Sequence, residues 1–308
     1  MTRSALPSLA GGLLAALLLG LGPSSVAAQN LEPRLYVPYP VSQNLVGTTI
    51  GYSEGDVIFD ASLPISGVEA DVRSLSLAYV RTFGLFGRSA QVQAVAPYVD
   101  ASYEGSVAGR DSSREMQGFA DPQLRIAVNL AGGPARTRAE MAGAQFKTIV
   151  GTSLTLSLPL GVYEEERVLN IGANRWSLKP EVGVVRVLGR SWALEGYVGV
   201  WVFGHNTAYL DSLTAAQDPL WTIQTHVVHL FGRKAWVALD GTWVTGGTTK
   251  VDGVVTNSFQ RSSRLGATGG WLLGGGHQLK ANLSTGVYTR LGGDFTSATL
   301  GYSYAWGQ

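Results

Sequence analysis

The chain has 308 residues, with 23 lysines and arginines against 22 aspartates and glutamates, and a formal charge of +1, which excludes the basic footprint of a nucleic-acid-binding protein. It contains no cysteine, which excludes a small disulfide-stapled fold. Charged residues make up only 15%, against about 25% in soluble domains, and this shortage, with abundant glycine and no long apolar run after the amino terminus, favours a membrane β-barrel.

Met1-Thr2-Arg3 is a short basic start, an apolar run extends from Leu9 to Leu21, and the small-residue site Val26-Ala27-Ala28 precedes Gln29. That is the pattern of a secretory signal peptide spanning residues 1–28, too short and wrongly flanked for a membrane anchor, with cleavage expected after Ala28. No later run approaches the roughly 20 apolar residues of a membrane-spanning helix, so the exported chain either folds in water or crosses an outer membrane with strands. Residues 29–42 form an extended segment, because Pro33, Pro38 and Pro40 forbid a helix or a central strand. The segment is expected at the periplasmic mouth, either tucked into the lumen or as a disordered leader.

From residue 43 to 308 a period of two predicts a transmembrane barrel. Val46, Thr48, Ile50 and Tyr52 share one face of the first strand, with Gly47, Thr49, Gly51 and Ser53 opposite. The cleanest alternation sets Leu124, Ile126, Val128 and Leu130 against Gln123, Arg125, Ala127 and Asn129. Similar runs bring the count to about twelve strands, and the last places Leu300, Tyr302, Tyr304 and Trp306 opposite Gly301, Ser303 and Ala305. Bulk on one face and small groups on the other, with no charge between, suits a wall whose outside meets lipid. Short turns at Phe86-Gly87-Arg88, Leu188-Gly189-Arg190, Phe231-Gly232-Arg233 and Gly274-Gly275-Gly276 alternate with long polar connections near 53–72, 100–119, 161–175, 204–219 and 246–260. One connection, 131–146, is long where a short turn is due and is expected to hold a small helix. Aromatic residues, Trp176, Trp192, Trp221 and Trp271 among them, fall near predicted strand ends, as interfacial girdles require.

Several segments resemble one family. Leu31-Glu32-Pro33-Arg34, Gly51-Tyr52-Ser53-Glu54-Gly55-Asp56-Val57, Phe119-Ala120-Asp121-Pro122, Asn174-Arg175-Trp176-Ser177-Leu178-Lys179-Pro180-Glu181, Gln217-Asp218-Pro219-Leu220 and Ser263-Arg264-Leu265-Gly266-Ala267-Thr268 are similar to the phenol meta-pathway degradation (MetA-pathway) family of bacterial outer-membrane β-barrel proteins, whose members are often labelled transporters. The resemblance covers nearly the whole mature chain and departs from the family at Ala120, where a glycine is usual. It implies a barrel associated with uptake of hydrophobic or aromatic compounds, and the family name is no enzyme assignment.

Parity places Arg125, Lys179, Glu181, Glu195, Asp240, Arg264 and Lys280 on the lumen face, where charges either neutralise one another as an interior filling or set pore selectivity. Lys179 and Glu181 lead these candidates, sharing one face two residues apart. Replacing both with alanine is expected to widen the pore, which single-channel conductance reads. Glu164-Glu165-Glu166 lies in an outer loop as a solvated run or a divalent bridge to lipopolysaccharide. Catalysis finds no support: Gly-x-Ser-x-Gly and His-Glu-x-x-His are absent, and His226 and His229 fall on opposite faces of one strand.

The sequence therefore predicts an all-β, single-chain antiparallel barrel of about twelve strands in the outer membrane of a Gram-negative bacterium. Its expected function is passage of small hydrophobic or aromatic solutes, without cofactor, metal or nucleic acid. The alternatives are a structural or adhesin-like barrel and, third, a lipid-modifying enzyme. Its expected partners are outer-membrane lipids, lipopolysaccharide and the barrel assembly machinery, for which Leu300–Trp306 resembles the carboxy-terminal signal, with Gly307-Gln308 following the ring where the aromatic residue is usually last.

Overall fold

The computed structural model describes residues 31–59, 65–141 and 144–307; the signal-peptide reading of residues 1–28 lies outside them. Strands follow the period-two pattern in order: β1 (Gln43–Ile58), β2 (Ile65–Leu85), β3 (Arg88–Val107), β4 (Arg110–Phe119) and β5 (Gln123–Ala131). After a one-turn helix, α1 (Arg138–Met141), come β6 (Thr148–Ser157), β7 (Ser177–Leu188), β8 (Trp192–Phe203), β9 (Asn206–Tyr209), β10 (Leu213–Gln217), β11 (Leu220–Phe231) and β12 (Ala235–Gly246). The chain ends with β13 (Thr249–Val251), β14 (Val254–Val255), β15 (Gln260–Gly274), β16 (His277–Thr289) and β17 (Gly292–Gly307).

Thirteen strands make one antiparallel sheet that closes on itself. β4 and β5 both pair with β3, β4 along Tyr98–Val107 and β5 along Ala90–Val95, so together they fill one place in a twelve-strand wall. β1 closes the ring against β17, with Ile50 opposite Leu300 and Thr48 opposite Tyr302. Closure matters because an open edge would leave a row of unpaired peptide groups in hydrocarbon. The alternation read from the sequence is inside out relative to a water-soluble sheet: Leu124 and Ile126 are exposed on the outer surface while Arg125 between them is buried. Exposed Trp192, Phe231, Trp271 and Trp306 ring the short-turn end, and Trp176, Trp221, Phe119 and Tyr288 ring the other. On β11, Trp221 and Phe231 are about ten residues apart, roughly 33 Å of strand, which at a tilt near 45° gives the height of an apolar membrane band, about 25 Å.

The turns at the short end need left-handed backbone. Phe86 and Gly87 have φ of 50° and 74°, the signs that a two-residue hairpin matched to strand twist demands. Residues 133–136 are held across this end: Ser89 N–H donates to Gly133 O at 3.0 Å, Ala135 N–H to Gly87 O at 3.0 Å, and Val41 N–H to Arg136 O at 2.8 Å. The small helix expected there is α1, started by a reciprocal cap in which Thr137 N–H donates to Glu140 Oε2 at 2.8 Å and Glu140 N–H to Thr137 Oγ1 at 3.4 Å.

The long-loop end departs from expectation in two places. Residues 53–72 and 100–119 are largely strand, with β3 and β4 joined by the tight turn Ala108-Gly109. Their charged residues removed the apolar face that marks a lipid-facing strand but not the capacity to pair, and above the headgroups a strand faces water. The loops at 204–219 and 247–259 add a small four-stranded sheet, β14-β13-β10-β9. Asp121, in the break between β4 and β5, accepts Gly161 N–H at 2.9 Å and Ala173 N–H at 2.8 Å, tying loop 158–176 to the mouth.

Candidate functional site: the lumen and the segment inside it

Residues 31–41 run inside the barrel, and their polar groups are bonded to the inner wall. Glu32 N–H donates to Gln224 Oε1 at 3.1 Å, Arg34 N–H to Glu195 Oε2 at 2.7 Å, and Leu35 N–H to Tyr197 Oη at 3.3 Å. The prolines that prevent this segment from joining the sheet leave its remaining N–H groups to find side-chain acceptors. Tyr36 is its anchor. Its ring packs edge-on against Tyr197 with centroids 5.1 Å apart, and its hydroxyl lies 3.0 Å from both Ser153 Oγ and Glu181 Oε1. Two lumen-side glycines make room for the ring: a Cβ built on Gly151 or Gly183 would overlap it.

A charged cluster surrounds the anchor. Arg125 reaches Glu32 at 3.0 Å with Nη1 and Glu181 at 3.3 Å with Nη2, and Lys179 Nζ is 3.1 Å from the other oxygen of Glu181. Four charges of alternating sign thus satisfy one another where an unpaired ion would be costly. The pair singled out in the sequence, Lys179 and Glu181, is in contact, and Glu181 is also bonded to the inserted segment through Tyr36. Replacing Arg125 with methionine should destabilise the folded barrel by roughly 3–5 kcal/mol, because Glu181 and Glu32 would lose their shared cation. The midpoint of heat-induced unfolding on a semi-native gel checks this.

The other lumen candidates separate. Glu195 accepts from Arg34 N–H and from the Tyr197 hydroxyl, and so contacts the inserted segment directly. Asp240 pairs with His226 Nδ1 at 2.7 Å and accepts from Thr268 Oγ1 at 2.5 Å. Arg264 stands apart, donating to Ser284 Oγ at 3.1 Å, Phe295 O at 2.9 Å and Ser297 Oγ at 3.1 Å. Lys280 points into the barrel and feels Glu32, Asp240 and Glu195, yet its side chain is exposed, so open space remains beside it.

Burial across the lumen is lopsided. Inward positions of β5 to β12, such as Ser153, Glu181, Tyr197 and His226, are buried, whereas those of β17, β1 and β2, such as Thr299, Gly301, Thr49 and Ser76, are half-exposed. The inserted segment leans on the first half-wall and leaves the second, lined by small residues, unfilled. Beside it lies a cavity of about 40 Å³ bounded by Glu32, Arg125, Lys179, Trp201, Gln93 and Gln224, among others.

Tyr36, Tyr197 and Trp201 line the site without having been picked out by charge parity. Proline spacing marked the segment that carries Tyr36 as non-strand, and Gly151 and Gly183 on inward positions were the available sign that something approaches the wall closely. Among the described residues no cluster of three metal-ligating side chains occurs.

A family model described as "Putative MetA-pathway of phenol degradation" matches residues 50–302. No curated protein matches the sequence. Among solved structures, an outer membrane channel from Pseudomonas putida F1 is similar with a TM-score of 0.78 at 18% identity, covering 90% of this chain and 100% of that one. The β domain of the Bordetella autotransporter BrkA matches with a TM-score of 0.51 at 15% identity, over 86% of this chain and 100% of its own. The transport unit of the Escherichia coli autotransporter AIDA-I also has a TM-score of 0.51, at 9% identity, over 96% and 97%. At these identities the likeness is one of fold, that of outer-membrane barrels.

Proposed function

The chain belongs to the family of the phenol-degradation MetA pathway, and from that premise we propose that it is an outer-membrane channel for small aromatic or hydrophobic molecules. The protein is exported by a signal peptide cleaved near Ala28 and resides in the outer membrane of a Gram-negative bacterium, with residues 29–42 as a leader that enters the lumen and residues 43–308 as the barrel. Assembly machinery recognises Leu300–Trp306, and lipopolysaccharide surrounds the long-loop end.

The observation that carries this reading is the lumen itself, which is occupied by a separate segment, held by side-chain contacts and an apolar cluster around Tyr36, and left open along β17, β1 and β2. Arg125, Lys179, Glu181, Glu195, Asp240, Arg264 and Lys280 then tune which solutes pass. Beside the cavity the inner wall is mainly polar, with Gln93, Gln123, Thr155 and Gln224. Such a wall suits aromatic solutes that carry a hydroxyl or carboxyl group over plain hydrocarbons. Proteoliposomes containing the purified protein should admit phenol, catechol and benzoate faster than protein-free liposomes, measured by swelling. Liposomes sealed to the whole panel, and to the same panel with the Tyr36→Ala variant, would refute the channel reading. They would favour a purely structural barrel, which the segment inserted in the lumen also fits.

A further inference from the structure

The Glu32 carboxylate sits where a solute could sit. It belongs to the inserted segment, not to the wall, and it meets the wall through Arg125 Nη1 at 3.0 Å. Arg125, Lys179 and Lys280, on three different strands, all act on it electrostatically. Its side chain forms one boundary of the cavity of about 40 Å³, and the remaining boundary is rich in donors: Arg125, Lys179, Trp201 and the amides of Gln93 and Gln224. Two of these donors are unused. Trp201 is 5% exposed and Arg125 7%, and neither the indole Nε1–H of Trp201 nor the Nε–H of Arg125 has a hydrogen-bond partner among the described residues. A buried donor without an acceptor costs about 1–3 kcal/mol. Lys179 lies over the Trp201 ring at 5.5 Å, which keeps an ammonium beside the indole.

Two cations and several amides around one small cavity, with a carboxylate already seated at its edge, define the complement of a carboxylate. We infer that this cavity is a binding site for a small organic carboxylate, and that Glu32 occupies its cationic edge as a built-in surrogate that an incoming acid displaces from Arg125. The surrogate shows that the wall holds a carboxylate in spite of Glu181 nearby, because Glu181 is already shared between Arg125, Lys179 and Tyr36. Displacement breaks one ion pair and forms another, so the exchange is near balance, and its outcome depends on solute concentration. A solute is free to turn toward the cations and amides of the lining, whereas Glu32 is fixed by the backbone bond from its own N–H to Gln224. The inference rests on the channel reading for its biological use, but the site is a binding property that can be measured without transport.

The test is isothermal titration of the full-length protein in detergent with acetate, and with acetamide as its neutral isostere at matched ionic strength. Acetate should bind saturably and acetamide should not. In Glu32→Gln, which leaves the wall intact and removes the internal competitor, acetate should bind about tenfold tighter. Binding seen only in Glu32→Gln would also support the inference, as the mark of a strong surrogate. Absence of acetate binding in both proteins, equal binding of acetamide, or weaker binding in Glu32→Gln would each overturn it. A barrel that binds acetate but passes nothing in liposomes would overturn the channel reading alone, and a conducting barrel that binds no acetate would overturn this inference alone.

Discussion

Gly183→Ala should raise single-channel conductance by about an order of magnitude, through a methyl group placed where the Tyr36 ring now lies. The added Cβ would overlap both Tyr36 and Tyr197, and a β-strand cannot shift to relieve the clash without breaking its pairing with β6 and β8. Tyr36 is the part able to leave. Its departure removes the hydroxyl from Ser153 and Glu181 and the edge-on contact with Tyr197, and leaves the segment only the N–H bonds at Glu32, Arg34 and Leu35 and the Glu32–Arg125 pair, a looser attachment. Tyr36→Ala should reproduce the gain without touching the wall. Planar-bilayer recording of both variants checks this, and conductance equal to wild type in both would show that the segment does not limit flow.

The second large effect lies on the outer surface. Leu300→Arg should prevent stable insertion or lower barrel stability by about 2–4 kcal/mol, the depth-dependent cost of a cation facing the middle of the bilayer. Leu300 is 50% exposed and stands opposite Ile50 on one side and Ala281 on the other, half-way up the seam that closes the ring. Thr299→Arg, one residue away but facing the half-exposed small-residue side of the lumen, should insert normally. The contrast isolates facing from chemistry, because the two substitutions add the same side chain at nearly the same height. Tyr304→Asp combined with Trp306→Asp should likewise abolish insertion. Heat-modifiable migration of outer-membrane fractions reads all three.

The wall was legible in the sequence because its rule is local. A residue such as Ile126 declares its side of the sheet through its immediate neighbours Arg125 and Ala127, and the same period two that marks a strand also marks which face meets lipid. Lumen parity could be read for Arg125, Lys179, Glu181, Glu195, Asp240, Arg264 and Lys280 for the same reason. What they touch could not. Arg125 meets Glu32 across 93 residues, Tyr36 meets Glu181 across 145, and Glu195 binds an N–H 161 residues earlier; no period reports such contacts. Loop lengths failed where charge was taken as a sign of irregular chain: Glu54, Asp56, Glu69 and Glu104 sit on paired strands. There the solvent changes before the hydrogen bonding does. The small sheet of β9, β10, β13 and β14 was missed because strands of two to five residues carry too little periodicity to be seen.

The distances in sequence that hide the inserted segment also set when it can arrive. Its first contacts lie on β8 and β11, 161 and 192 residues downstream of the groups they bind. Those two contacts must wait for these strands, and each carries the entropy of closing a very long loop. Although residues 31–41 precede every strand of the wall, they are positioned to be the last part to settle. By this loop-closure argument the segment is a latch fitted late, since Glu195 and Gln224 can receive it only once β8 and β11 are formed.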